Sequence, residues 1–179
     1  MNIFYLNHDP KQCAREHVDK HCVKMILEYA QLLSTAHRLL DGVQTIGLSK
    51  SGRKQKVWAL SDSRDSLFYK ATHVNHPSAV WARASRDNYI WLHSLLKELC
   101  HEYTYRYEKT HKVQSSGLMD SLASPPAHIR SGAFVHPTPA MPGHYIVPGD
   151  SIASYHRYYL GSKTHMFKWK NRENPSWIE

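Results

Sequence analysis

Apolar residues recur at steps of three and four from Val18 to Leu40: Val18, Cys22, Met25 and Ile26, Tyr29, Leu32 and Leu33, Ala36, Leu39 and Leu40. That is the period of one helix face, and it predicts a long amphipathic helix with this side in the core. Start signals precede it. Asp9 can cap, Pro10 suits the first helical position, and Gln12 completes a capping-box pattern. Gly42 in "LLDG" supplies a stop. A helix running from Pro10 to Gly42 is long enough to be expected to kink or break, at a point the pattern does not mark.

A second stripe, Leu92, Leu95, Leu96, Leu99 and Tyr103, predicts a helix from Arg86 and Asp87 to about "YEKTHK". Pro77 in "NHPS" opens a shorter one ahead of it. Asp150 caps a third helix, "SIASYHRYYLG", closed by Gly161. Between these, "NIFYL" is a short extended apolar segment and "SKSGRKQK" a polar, Gly-containing exposed loop. "KVWALSDSRDSLFYKATHV" suggests a short helix or turn. Residues 115–149, with "SPPAHI" and "HPTPAMPGHYIVPG", are rich in Pro, Ser and Gly and predict an ordered irregular strap. There is no internal repeat. The expected fold is mainly α: one domain over residues 1–179, about three main helices joined by long Pro-rich loops.

A second, polar stripe breaks the pattern of the first helix. His17, His21, Lys24, Glu28 and Gln31 are separated by four, three, four and three and share one face, which Cys13, Thr35 and Arg38 extend. A solvated face is the plain explanation, but such faces are usually filled by Glu/Lys pairs. One carboxylate among cations and imidazoles suits a site that receives a phosphate backbone and keeps one base. Cys13, His17 and His21 also step by four and could present three metal ligands, with His8 and Asp9 nearby. A closed zinc site needs a fourth, and no matching second pair is present.

Charge narrows the partner. Formal net charge is +8 and pI about 9.4, with 14 histidines in addition, which favours a polyanion such as nucleic acid. No apolar run approaches the ~20 residues that span a bilayer, so no membrane partner is expected. "MNIFYLNHDP" lacks the build of a secretory signal. Cys13, Cys22 and Cys100 are a sparse, odd set that fits a reducing cytoplasm, and Cys22 and Cys100 fall on apolar faces. A monomer without cofactor is expected, since no phosphate loop, nucleophile elbow or metalloprotease helix occurs. The tail from Ser162 carries Lys163, Lys168, Lys170 and Arg172 with Phe167 and Trp169, and no acid falls between Ser151 and Arg172. Cations neutralise phosphates and rings stack on bases, so this tail is a candidate nucleic-acid contact.

The segment "DKHCVKMILE" resembles a helix of the phage endonuclease V family, the pyrimidine-dimer DNA glycosylases. There an acidic residue, a His two positions on and a Glu seven after that His share one helix; here these are Asp19, His21 and Glu28. "EYAQLL" and "YKATHVNHPSAVWAR" are similar to the bacterial branch. The resemblance implies a compact, mainly helical, endonuclease V-like domain that bends double-stranded DNA and flips a damaged or modified pyrimidine nucleotide. It implies a glycosylase, with or without lyase activity, in a bacterial or phage-infected cytoplasm. The nucleophile would be the α-amine of Met1, attacking the sugar C1′, with Glu28 stabilising the cationic sugar and His21 orienting a phosphate or the target nucleotide. α-Amines titrate near ~7.7–8.0, so a useful fraction is neutral at pH 7. Lys20, Lys24, Gln31, Arg38, His76, Arg83, Lys163, Lys168, Trp169 and Lys170 would hold the DNA.

Three positions depart from the family. Asn2 is too bulky for ready removal of the initiator Met. Leu27 and Gln31 stand near the places of arginines that accompany the family's Glu. A longer lead separates the amine from the helix, which leaves open whether it reaches Glu28 and whether Lys20 or Lys24 replaces it. A non-enzymatic nucleic-acid-binding protein, or a DNA base-modifying enzyme on the same scaffold, are the alternatives.

Overall fold

The extended N-terminal segment is threaded through the core: Ile3, Phe4, Tyr5 and Leu6 are all buried, without joining a sheet. The structure, a computed structural model, describes residues 1–49 and 51–178. Asp9 caps α1 (Pro10–Glu16), accepting hydrogen bonds from the Lys11 and Gln12 amides. The Gln12 side chain does not close the capping box; it donates to Glu16 Oε1 at 2.9 Å.

The single long helix is two. α2 spans Asp19–Asp41, and His17 and Val18 between it and α1 have extended backbone. The reason lies elsewhere in the chain. Arg106, buried on α5 (Arg86–Tyr107), takes the carbonyls of Arg15 and His17 at 2.8 Å each, and the Asp19 amide goes to Lys168 O. Those groups would otherwise belong to a continuous helix ladder.

β1 (Val43–Leu48) and β2 (Lys54–Ala59) follow α2 as an antiparallel ribbon, with Val43 opposite Ala59 and Leu48 opposite Lys54. The loop expected for "SKSGRKQK" holds at the tip around Ser51 and Gly52, whereas Lys54, Gln55 and Lys56 join β2. Of the next stretch, expected as a short helix or turn, residues 56–59 are strand and the helical turn comes at Arg64–Leu67. Lys50 lies outside the described residues. Gly42 makes the junction possible, because a Cβ there would meet Arg38 O at 2.4 Å and Ala59 O at 3.0 Å. α3 (Arg64–Leu67) then leads to α4 (Pro77–Ala82) and α5, the latter capped by Ser85 as its side chain accepts from the Asn88 amide. α5 packs against both α1 and α2, and α4 packs on α2.

α6 (Lys112–Ser115) and α7 (Leu118–Ser121) put short helical turns at the start of the strap, which is irregular from there to a 3-10 turn at Gly143–Tyr145. The strap is held by specific backbone bonds: Val135 N to Asn88 Oδ1, Trp81 Nε1 to Val135 O, and Arg86 N to Arg130 O. Asp150 caps α8 (Ser151–Ser162), accepting from the Ala153 amide. Gly161 does not end α8. It makes room for Tyr145, whose ring would lie 2.3 Å from a Cβ at that position. The fold is mainly α with one small ribbon.

Candidate active site at the N-terminal amine

The polar stripe of α2 divides into three parts that do different work. At its N-terminal end the imidazoles are buried structural groups. The Phe4 amide donates to Tyr29 Oη at 3.2 Å; that hydroxyl donates to His17 Nε2 at 2.8 Å, and His17 Nδ1–H goes to Cys13 O at 2.7 Å. Burial pushes His17 down to about 4, so it is neutral under physiological conditions and the chain of donors is complete. His21 stacks on Phe4, with centroids 4.1 Å apart, and its Nδ1 lies 2.6 Å from Tyr159 Oη. Burial first, then its neighbours His17, Lys163 and Lys24, push it down to about 3. It is therefore neutral, and the expected role of orienting a phosphate falls to hydrogen bonding rather than charge. Together these bonds pin the N-terminal segment along α2.

The C-terminal end of the stripe is also covered. Thr35 Oγ1 accepts from the Thr72 amide at 3.2 Å. Arg38 is fully buried and spends its guanidinium on the carbonyls of Tyr69, Trp58, Asp65 and Phe68 and on Asp65 Oδ1 at 2.6 Å. Its expected contact with DNA phosphate is corrected: no donor is free to leave the fold.

The middle holds an ion pair that is itself mostly covered, beside an exposed lysine. The Met1 side chain is 4% exposed and Glu28 13%, and the α-amine lies 3.9 Å from Glu28 Oε2. The longer lead is thus folded so that the amine does reach Glu28. Lys24, 68% exposed, pairs with the other oxygen, Oε1, at 3.0 Å. Gln31 stands half-buried on the same face, one turn on.

His76 joins the group from the start of α4. Its Nδ1 accepts from the Ser78 amide at 3.2 Å, which caps that helix and leaves the ring's proton on Nε2. Burial lowers its pKa, the positive α-amine and His73 lower it further, and Glu28 opposes them. Two polar atoms in the adjoining residues are buried without a partner, Asn2 Oδ1 and Ser78 Oγ. The arrangement offers a nucleophilic amine, a carboxylate that can take and return a proton, an ammonium for a phosphate, and a neutral imidazole N–H donor.

The remaining candidates separate by exposure. Lys20 and Lys168 are exposed, and Lys163 lies over the Tyr158 ring at 4.6 Å, close enough to His21 to influence it. Lys170 is exposed and lies over Tyr107, 5.4 Å from the centroid. Trp169 is buried, its Nε1 bonded to Glu16 O at 2.9 Å, so it is corrected from a base-stacking surface to an anchor for the tail. Arg83 is half-buried, with Nη1 unpartnered and its pKa lowered by burial.

The zinc alternative is also corrected. Cys13 Sγ donates to Phe4 O and His17 uses both ring nitrogens, and among the described residues no three His, Cys, Asp or Glu side chains come together to hold a metal ion. No helix of the described residues is long and apolar enough to cross a membrane. No family model, curated protein or solved structure matches this chain. Sequence reasoning missed His73, Lys70 and the cations of the ribbon as neighbours of this face. Neither "VQTIGL" nor "KQKVWA" alternates apolar with polar residues, so the β-branched Val43, Thr45, Ile46 and Val57 were the only local signal for the ribbon.

Proposed function

We propose that this protein is a DNA-acting enzyme of the glycosylase type, resembling the endonuclease V-like enzymes, with the α-amine of Met1 as nucleophile and Glu28 as its carboxylate. The observation that supports this reading is the amine held 3.9 Å from Glu28 Oε2 while Lys24 occupies the other oxygen. The buried His17–Tyr29–Phe4 chain is its structural support, since it fixes the segment that presents the amine.

The chemistry balances with these groups alone. The flipped nucleotide, unstacked at a cost of a few kcal/mol, presents C1′ to the amine. The nitrogen lone pair forms the N–C1′ bond as the glycosidic bond breaks, and that electron pair leaves with the base, which takes a proton from water. Glu28 accepts a proton from the bound nitrogen and passes it to the ring oxygen. The C1′–O bond then opens and the nitrogen becomes the Schiff base. In this reading Lys24 and His76 Nε2–H hold phosphate oxygens.

Borohydride trapping on a duplex with one abasic site, followed by mass mapping, tests the reading. An adduct on Met1 is expected, and it is expected to vanish when Gly-Ser is added ahead of Met1. An adduct on Lys20 or Lys24 moves the nucleophile. Salt-sensitive binding without any adduct removes the lyase step and favours a binding protein or a base-modifying enzyme.

A further inference from the structure

The β1–β2 ribbon stands out from the body with its cations unused. Val43, Ile46 and Leu48 are exposed, as are Arg53, Lys54 and Lys56. No Asp or Glu occurs between Val43 and Ala59, and none of these three cations forms an ion pair with a described residue. Strand alternation puts Ile46, Leu48, Lys54 and Lys56 on one face, because Ile46 pairs with Lys56 and Leu48 with Lys54. The ribbon is ordered all the same. Gly52 turns its tip at φ +77°, Ser49 N bonds Arg53 O at 2.8 Å, and Arg38 holds its base through Trp58 O. A two-stranded hairpin is marginal by itself, so this buried arginine anchors an otherwise solvent-facing arm.

A continuous track joins the ribbon to the amine. The chain from Tyr69 to His76 runs back along α2, bonded at Arg38 and Thr35 and ending at His76, which senses Glu28 and the amine. Lys70 and Ala71 of this track line a groove with Leu48, Lys56 and Trp58 of the ribbon. Gly42, where the ribbon leaves α2, lies fourteen residues beyond Glu28. At about 1.5 Å per residue this is roughly 21 Å, or about six base pairs of duplex at ~3.4 Å each.

We propose that the ribbon is a second DNA-binding element, gripping the sugar–phosphate backbone of the duplex about six base pairs or more from the flipped nucleotide. Arg53, Lys54 and Lys56 meet phosphates, and the aliphatic face of Ile46 and Leu48 lies along the sugars. A second copy of the chain is the poorer occupant, since pairing two ribbons would set like charges against each other. The inference rests on the DNA-acting reading above, and its test reads binding separately from chemistry.

The test compares wild type with the triple variant Arg53→Gln, Lys54→Gln, Lys56→Gln on two duplexes centred on an abasic site, of roughly 10 and roughly 30 base pairs. On the long duplex the variant is expected to bind more than about a hundredfold more weakly near ~0.1 M salt, with a log–log salt slope shallower by roughly 2.7. On the short duplex both proteins are expected to bind and trap alike. A second variant, with residues 46–56 replaced by Asn-Gly, keeps the anchored base of the ribbon and is expected to behave as the triple variant does. Unchanged binding to the long duplex overturns the proposal, and so does equal weakening on both. Normal ribbon dependence without a borohydride adduct would uphold the ribbon and fail the Schiff-base reading. Wild type that binds neither duplex overturns both.

Discussion

Arg38 and Glu28 stand on one face of α2, ten residues apart, under opposite conditions. Arg38 is sealed beneath the chain from Trp58 to Tyr69 and every donor is occupied. Glu28, 13% exposed, lies between the N-terminal amine and the exposed Lys24. The same helical period therefore generated a structural hub and an ion pair with the N-terminal amine. What differs is whether another segment lies across the stripe, and that decides whether a charge is spent on the fold or left for a ligand.

Breaking the hub carries the largest expected effect. Arg38→Met leaves Asp65 and four carbonyls short of a donor, and urea denaturation is expected to show a loss of about 3–5 kcal/mol. Acid is the next lever, acting on the covered end. Unfolded imidazoles take protons below ~6.5. In the fold, burial holds His17 down to about 4 and His21 to about 3. The stability these groups contribute is complete above ~6.5 and is lost as pH falls towards 4, by about 1.4 kcal/mol per pH unit for each histidine. Thermal melts at pH 7, 6 and 5 check this, and a flat profile would refute the buried neutral network.

Tyr29→Phe is expected to cost about 1–3 kcal/mol, because it strands His17 Nε2 and the Phe4 amide. It also frees the segment that carries Met1, so trapping yield is expected to fall in the same variant while duplex binding persists. The Met1–Glu28 pair gives the smallest stability effect and the sharpest contrast. Glu28→Gln is expected to shift stability by no more than about 0.5 kcal/mol, yet to abolish the trapped adduct and retain DNA binding. A Glu28→Gln protein with wild-type trapping would remove the carboxylate from the mechanism.

Much of the scaffold was legible. The apolar stripes placed α2 and α5, and the caps at Asp9, Ser85 and Asp150 follow local rules that need no distant partner. The break at His17–Val18 was not legible in position, because Arg106, some ninety residues away, takes the carbonyls that would have continued the helix. The ribbon was hidden behind a polar, basic, Gly-containing stretch that reads locally as a loop. Among the site residues, Glu28 and Lys24 could be named from spacing alone, whereas Arg38 and Trp169 could not be recognised as buried anchors. A cation in a helical stripe looks the same in sequence whether solvent or a strand covers it.

The sequence by itself determined the apolar stripes of α2 and α5, the caps at Asp9 and Asp150, the register that aligns His21, Lys24, Glu28, Gln31, Thr35 and Arg38, and the basic charge. These depend on neighbours within one or two turns. Only the tertiary structure decided that the amine of Met1 arrives beside Glu28, that both ends of the stripe are sealed, and that a cationic ribbon stands at its far end. Those outcomes depend on where distant segments find partners for their buried polar groups, and no local period carries that information.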